Sequence, residues 1–280
     1  LLHQFLLQHL LLYPVHFLDT VSHLYYYGLG SKSIRENSHN RCWYFGWRVR
    51  IVANEIATLL RTRNESQSKT VLGLATGSTP TGIYRELIRI HKEEGLSFSN
   101  LVTFNLDEYF SISRSHPESY YRFMRDQLFD HLDVPEDQIF VPDGSVERAE
   151  VYSYCQDYED KINEVGGIDI QILGIGRTGH VGFNEPGSSR KSRTRLVHLD
   201  TLTRKDAARD FLGEDNVPRY ALTMGVGTIL DARRIYLLAW GEAKASILAR
   251  AVEATPTESL PASLLQDHPH IEVLADEPIF

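Results

Sequence analysis

A chain of 280 residues, 42% hydrophobic and 24% charged, has ordinary globular composition and enough length to bury a sizeable core. Its formal net charge of −8 removes the concentrated basic surface that a nucleic-acid backbone requires, whereas a small anionic ligand needs only a few local cations. Cys42 and Cys155 are too few for a disulfide framework or a zinc site with several thiolates, so a reducing compartment is expected.

Residues 1–46 show neither strand alternation nor a capped helix. His3, Gln4, Gln8 and His9 interrupt the oily beginning well short of the roughly 18–20 apolar residues of a membrane helix. The start also lacks the basic region and small-residue cleavage site of a signal peptide, so no membrane partner and a cytoplasmic location are expected. Residues 1–46 are therefore set apart as an N-terminal segment of open status, either a wrongly framed translation or an unfamiliar extension. The domain is expected over 47–280, opening with a helix near Trp47, where Val49, Val52, Ile56, Leu59 and Leu60 recur at helical spacing.

From Lys69 onward an apolar run, a polar loop and an amphipathic stretch alternate. Strands are expected over 70–75, 101–106, 168–174, 235–241 and 271–275, and helices over 80–93, 119–132, 147–165 and 242–252. Several of these strands are apolar throughout, as strands covered on both faces are. The pattern predicts an α/β fold with a mainly parallel sheet flanked by helices. No linker and no repeat divides the chain, so one domain is expected.

Three loops carry chemical promise. In GLATGSTPTGIYREL a strand gives way to the tight turn Thr76, Gly77, Ser78 and Thr79, and Pro80 opens a helix. Pro at a helix start, Gly where the backbone must come close, and a helix dipole behind them suit an anion. Neither the Walker pattern nor the dinucleotide fingerprint is present, and an ordinary strand–helix turn has the same shape. In VTFNLDEYF a strand ends in Asp107 and Glu108, whose side chains should point to opposite sides, so at most one of them faces a common site. One could act as a general base, and a helix-capping or surface acid is the plain alternative. In LGIGRTGHVGFNEPGSS, Gly174, Gly176, Gly179 and Gly182 fall within nine residues, interleaved with Arg177, His180, Asn184 and Glu185. A solitary loop histidine is usually structural, but a carboxylate five residues away can orient its second ring nitrogen. Arg193, Arg195, Arg204, Arg209 and Lys244 are candidate cations, and spacing alone does not choose among them.

Together these stretches resemble the glucosamine-6-phosphate deaminase/isomerase family. LATGSTPTGIY, VTFNLDEY, HPESYYRFM, GIGRTGHVGFNEPGSS, SRTR, VPRYALTMGVGTILDA and SLLQDHPHIEVLADEP occur in family order from about Trp47 to the end. The resemblance implies a Rossmann-like α/β domain with no nucleotide cofactor and no metal. It implies conversion of glucosamine 6-phosphate and water to fructose 6-phosphate and ammonia, as in the breakdown of N-acetylglucosamine. Asp107 matches the catalytic base, His180 the residue that assists ring opening and Glu185 its carboxylate partner. Arg209, Lys244 and the Thr76–Thr79 turn match the phosphate ligands, and 201–222 a mobile lid. The implied partner is a small sugar phosphate, and a homo-oligomer is allowed.

Two departures stand out. The family's Asp-Gly-His is here Thr178, Gly179, His180, so a hydroxyl that supplies no charge replaces a carboxylate. Members with an N-acetylglucosamine-6-phosphate allosteric site carry a Lys two residues after an Arg; here Ser188 and Arg195 match, but Val197 replaces the Lys, so allosteric activation is not expected. A 6-phosphogluconolactonase-like hydrolase and a non-catalytic sugar-phosphate sensor are the alternatives; ammonia release separates them from a deaminase.

Overall fold

The computed structural model describes residues 38–276, with side chains from residue 46 onward, so most of the 1–46 segment lies outside the described residues. The first helix, α1 (Ser38–Glu65), starts before the expected position at Trp47. No cap residue or proline stands at 45–47 to stop it, and Gly46 costs a helix interior only about 1 kcal/mol. Then follow β1 (Thr70–Leu74), α2 (Thr81–Glu94), β2 (Leu101–Asn105), β3 (Asp107–Tyr109), α3 (Tyr120–Gln127), β4 (Ile139–Phe140), α4 (Val151–Glu164) and β5 (Ile170–Gly174). The second half runs β6 (Arg195–His198), α5 (Thr201–Ala207), β7 (Tyr220–Thr223), α6 (Val226–Leu230), β8 (Arg234–Ala239), α7 (Ala245–Glu253) and β9 (Ile271–Ala275).

The five expected strands are β1, β2, β5, β8 and β9. With β4 they form one parallel sheet in the order β4-β2-β1-β5-β8-β9. On one face, Val52, Ile56 and Leu60 of α1 pack with Ile83, Leu87 and Ile90 of α2 against Leu72 and Leu74. On the other, Tyr158 and Ile162 of α4 and Ile247, Leu248 and Ala251 of α7 cover Val71, Phe104 and Leu173. Each fully buried aliphatic side chain contributes roughly 1.5–3 kcal/mol, so this sandwich is where stability is concentrated. The chain is one α/β domain, as its alternation predicts.

A second, antiparallel sheet, β3-β7-β6, adjoins the first. None of its strands was expected. They are three or four residues long, too short to display a period. The stretch 101–106 is not one strand ending in two loop carboxylates. Leu106 donates its amide to Leu74 in the large sheet at 2.9 Å and accepts one from Met224 at 2.7 Å, so the backbone changes sheets there. Asp107 and Glu108 are thereby strand residues of the small sheet.

Candidate active site

In the large sheet the chain works outward from β1 through β2 to β4, then returns to β5 and works outward the other way. The crevice beyond the carboxyl ends of two such neighbouring strands is where open α/β sheets bind ligands. Here the turn after β1 and the Gly-rich loop after β5 flank it, and a Cβ on Gly174 would lie 3.6 Å from Thr79. In that turn Gly77 adopts φ +84, and the Thr79 carbonyl accepts from Trp240 Nε1 at 2.9 Å. The amides of Thr76, Gly77, Ser78 and Thr79 donate to no described residue. Gly77 and Ser78 are exposed, at the positive end of the 14-residue α2.

Asp107 and Glu108 alternate, as neighbouring strand residues must. Glu108 turns away and accepts from Ser119 Oγ at 2.6 Å and from the amides of Tyr109, Tyr120 and Tyr121 at 2.9, 3.0 and 3.0 Å. It secures the start of α3, a structural duty. Asp107 turns toward the Gly-rich loop, pairing in register with Thr223. A Cβ on Gly182 would stand 3.2 Å from Asp107 Oδ2 and 3.0 Å from Thr223 Oγ1, and Gly182 has φ +56, so only glycine lets this loop approach. The Asp107 carboxylate is 6% exposed and accepts no hydrogen bond from any described residue. Burial first, and the neighbouring Glu108 charge second, push it up to about 8.

His180 sits in the same loop against Gly176, where any side chain would collide with the ring: a Cβ there would be 2.0 Å from Nε2. Its Nδ1 lies 2.8 Å from Thr178 Oγ1 and 3.2 Å from Glu185 Oε2. Thr178 donates to Glu185 Oε2 at 2.9 Å, so its oxygen accepts from Nδ1–H. This network leaves Nε2 of the neutral ring as the acceptor. Glu185 also accepts from Thr203 on α5. Burial pushes Glu185 up, but His180 and the two threonine hydroxyls outweigh it and hold the group below the ordinary carboxylate range.

The cations divide. Lys244, on the turn after β8, donates to the Ile175 carbonyl at 2.8 Å, and burial lowers its ammonium. Arg209 is exposed in the segment 201–222 and its side chain makes no hydrogen bond or ion pair with a described residue, so no such bond joins it to Lys244. Arg195 donates to Asn184 Oδ1 at 2.9 Å and Ser188 Oγ at 3.1 Å, in a cleft that Val197 and Glu185 also line. Thr203 also reaches Glu185, and Arg177, named in the Gly-rich motif without a role, meets Asp206 at 2.7 Å; neither Thr203 nor Asp206 was singled out from the sequence. The signal available was slight: Asp200, which caps α5 by accepting from the Leu202 amide at 2.7 Å, fixes which face of that helix looks inward. Among the described residues no group of three or more His, Cys, Asp or Glu could hold a metal ion, and no helix is long and apolar enough to cross a membrane.

A family model described as glucosamine-6-phosphate isomerases/6-phosphogluconolactonase matches residues 48–274. A glucosamine-6-phosphate deaminase of Geobacillus sp. (strain WCH70) is 45% identical over 226 residues, 81% of this chain and 89% of that protein. A glucosamine-6-phosphate deaminase-like protein of Bacteroides thetaiotaomicron is 44% identical over 80% of this chain, which spans only 34% of that longer relative. Among solved structures, a monomeric glucosamine-6-phosphate deaminase superposes with a TM-score of 0.79 at 44% identity, over 84% of this chain and 95% of that one.

Proposed function

Since the chain belongs to the glucosamine-6-phosphate isomerase/6-phosphogluconolactonase family, we propose that it converts glucosamine 6-phosphate and water to fructose 6-phosphate and ammonia. The observation that carries the reading is Asp107: a buried carboxylate with no hydrogen bond, pushed up to about 8, facing the loop of His180. A base so held is unoccupied by other work and poised near neutral pH. The deaminases at 44–45% identity favour this reaction over hydrolysis of a lactone.

In this reading His180 Nε2 takes the anomeric hydroxyl proton and returns a proton to the ring oxygen as the C1–O5 bond breaks. Thr178 and Glu185 hold the ring for that exchange and favour the imidazolium it passes through. Ionised Asp107 then removes the C2 proton, giving an enolamine, and delivers it to C1. Water adds to the resulting C2 imine, and ammonia leaves with C2 as the ketone. The phosphate rests on the turn of Thr76, Gly77, Ser78 and Thr79 with Lys244, and Arg209 joins when the lid over 201–222 closes and excludes water.

The family match over 48–274 supports reading the catalytic domain over 47–280. A cytoplasmic place in the breakdown of N-acetylglucosamine follows from the same reading. A coupled assay on glucosamine 6-phosphate tests it: ammonia and fructose 6-phosphate should appear in equal amounts. Binding of the sugar without ammonia would replace the enzyme with a sensor.

A further inference from the structure

Over the carboxyl ends of β5 and β8 Arg177 and Asp206 form an ion pair within electrostatic range of Lys244, and the reaction described above uses only the last of these three charges. Arg177 stands in the Gly-rich loop between Gly176 and Thr178, Asp206 on α5, and Lys244 on the turn after β8. The Arg177 guanidinium is 2.7 Å from the Asp206 carboxylate. Burial lowers the Lys244 ammonium most, the Asp206 carboxylate opposes that and the Arg177 charge adds to it, so both charges are felt at Lys244. With side chains 55% and 49% exposed, the Arg177–Asp206 pair is a solvent-screened surface pair that contributes little to folding, and stability gives little reason for it. Its position gives more: Lys244 is fixed to Ile175, and the turn of Thr76–Thr79 with its unused amides abuts Gly174 next door. Three residues before Asp206, on the same helical face, Thr203 donates to Glu185. Helix α5 is thus attached to the Gly-rich loop at two points, one on the catalytic carboxylate and one on a cation.

We propose that Arg177 is a further phosphate-binding residue, sharing the substrate's phosphate with Lys244, and that Asp206 holds this pair of cations until the phosphate displaces it. The inference rests on the deaminase reading and extends it to how the lid is freed. A phosphate dianion carries more charge and more acceptor oxygens than a carboxylate, and the guanidinium fork meets it through two parallel bonds. Displacing Asp206 undoes one of the two attachments of α5. Arg209, three residues further along and without an ion pair among the described residues, can then follow the phosphate inward.

The test titrates inorganic phosphate by calorimetry into the wild type, Arg177→Gln, Asp206→Asn and the double variant, alongside ammonia-release kinetics. Loss of a charge-assisted pair predicts that Arg177→Gln weakens phosphate about tenfold or more and raises KM for glucosamine 6-phosphate similarly, with kcat within about threefold. Asp206→Asn should tighten phosphate about threefold, and that gain should vanish in the Arg177→Gln background. Arg233→Gln removes the same charge where Arg233 pairs with Asp169 before β5, and should leave phosphate affinity unchanged. Unchanged phosphate affinity in Arg177→Gln overturns the proposal, as does an equal gain from Asp206→Asn with or without Arg177. A wild type that releases no ammonia would count against the deaminase reading alone, because the phosphate titrations judge Arg177 without turnover.

Discussion

The parallel sheet and the small antiparallel sheet beside it are held by different means. The first is covered on both faces by helices and buries Val52, Ile56, Leu60, Leu72 and Leu74 almost completely. The second has two smaller apolar clusters, one around Tyr109, Phe183 and Phe211 and one around Phe110, Cys155 and Leu222. Its lid leaves Leu202 46% and Leu212 90% exposed. The groups proposed to react lie along the seam. Asp107 belongs to the small sheet, His180, Glu185 and Lys244 to loops springing from the large one, and Thr203 to the lid. The proposed chemistry is thus assembled where a large core meets a part held by smaller clusters, and lower local stability is what a lid needs.

The strongest way to separate the two regions is to remove the base. Asp107→Asn keeps the shape but cannot take a proton, so turnover should fall about 1,000-fold while fold and phosphate binding survive. Ammonia release with circular dichroism checks this, and comparable turnover would remove Asp107 from the mechanism. The same variant has a pH signature in stability. Because the folded value near 8 lies above the unfolded one near 3.8, the native state binds the extra proton between them. The contribution is full below the unfolded value, declines across that window and is lost above about pH 8. Denaturation curves should therefore show the variant gaining on the wild type as pH rises from 5 to 9.

The frame answers to packing. Ile56→Ala, in the fully buried face of α1, should cost about 2–5 kcal/mol in unfolding free energy, yet leave kcat at low temperature nearly unchanged. A large fall in kcat with stability retained would place the seam's geometry under the control of α1. Lys244→Ala removes a cation at the crevice and should weaken phosphorylated sugars by about 1.5–3 kcal/mol while sparing unphosphorylated analogues. Equal losses for both ligands would reassign Lys244 to holding Ile175. The smallest effect falls on the lid: Thr203→Val deletes one hydroxyl bond to Glu185 and should lower kcat by about 1 kcal/mol, or roughly fivefold, with no change in melting temperature.

The same contrast explains what the sequence discloses. Long apolar runs such as 70–75 and 168–174 announce strands buried on both faces, and the five so marked are all present. The alternation rule also separated Asp107 from Glu108 without saying which would face the site. That choice is made by Leu106, whose two hydrogen bonds join different sheets, and a contact over more than a hundred residues of sequence has no local signature. For the same reason Thr203 was invisible, and Arg177, though named in the Gly-rich motif, had no role: a threonine and an arginine on polar segments look like surface until the chain folds them onto Glu185 and Asp206. The Thr178 departure is resolved by geometry as well. Its hydroxyl lies between His180 and Glu185 and links them through hydrogen bonds without adding a charge.

The central claim is that the seam keeps Asp107 unbonded and protonated until near neutral pH. Carboxyl carbon-13 resonances of aspartate-labelled protein, compared between wild type and Asp107→Asn, measure this directly. The resonance missing from the variant should titrate with a midpoint near 8. A midpoint near the ordinary 3.8 would mean that Asp107 is solvated or paired in solution, and would contradict the account.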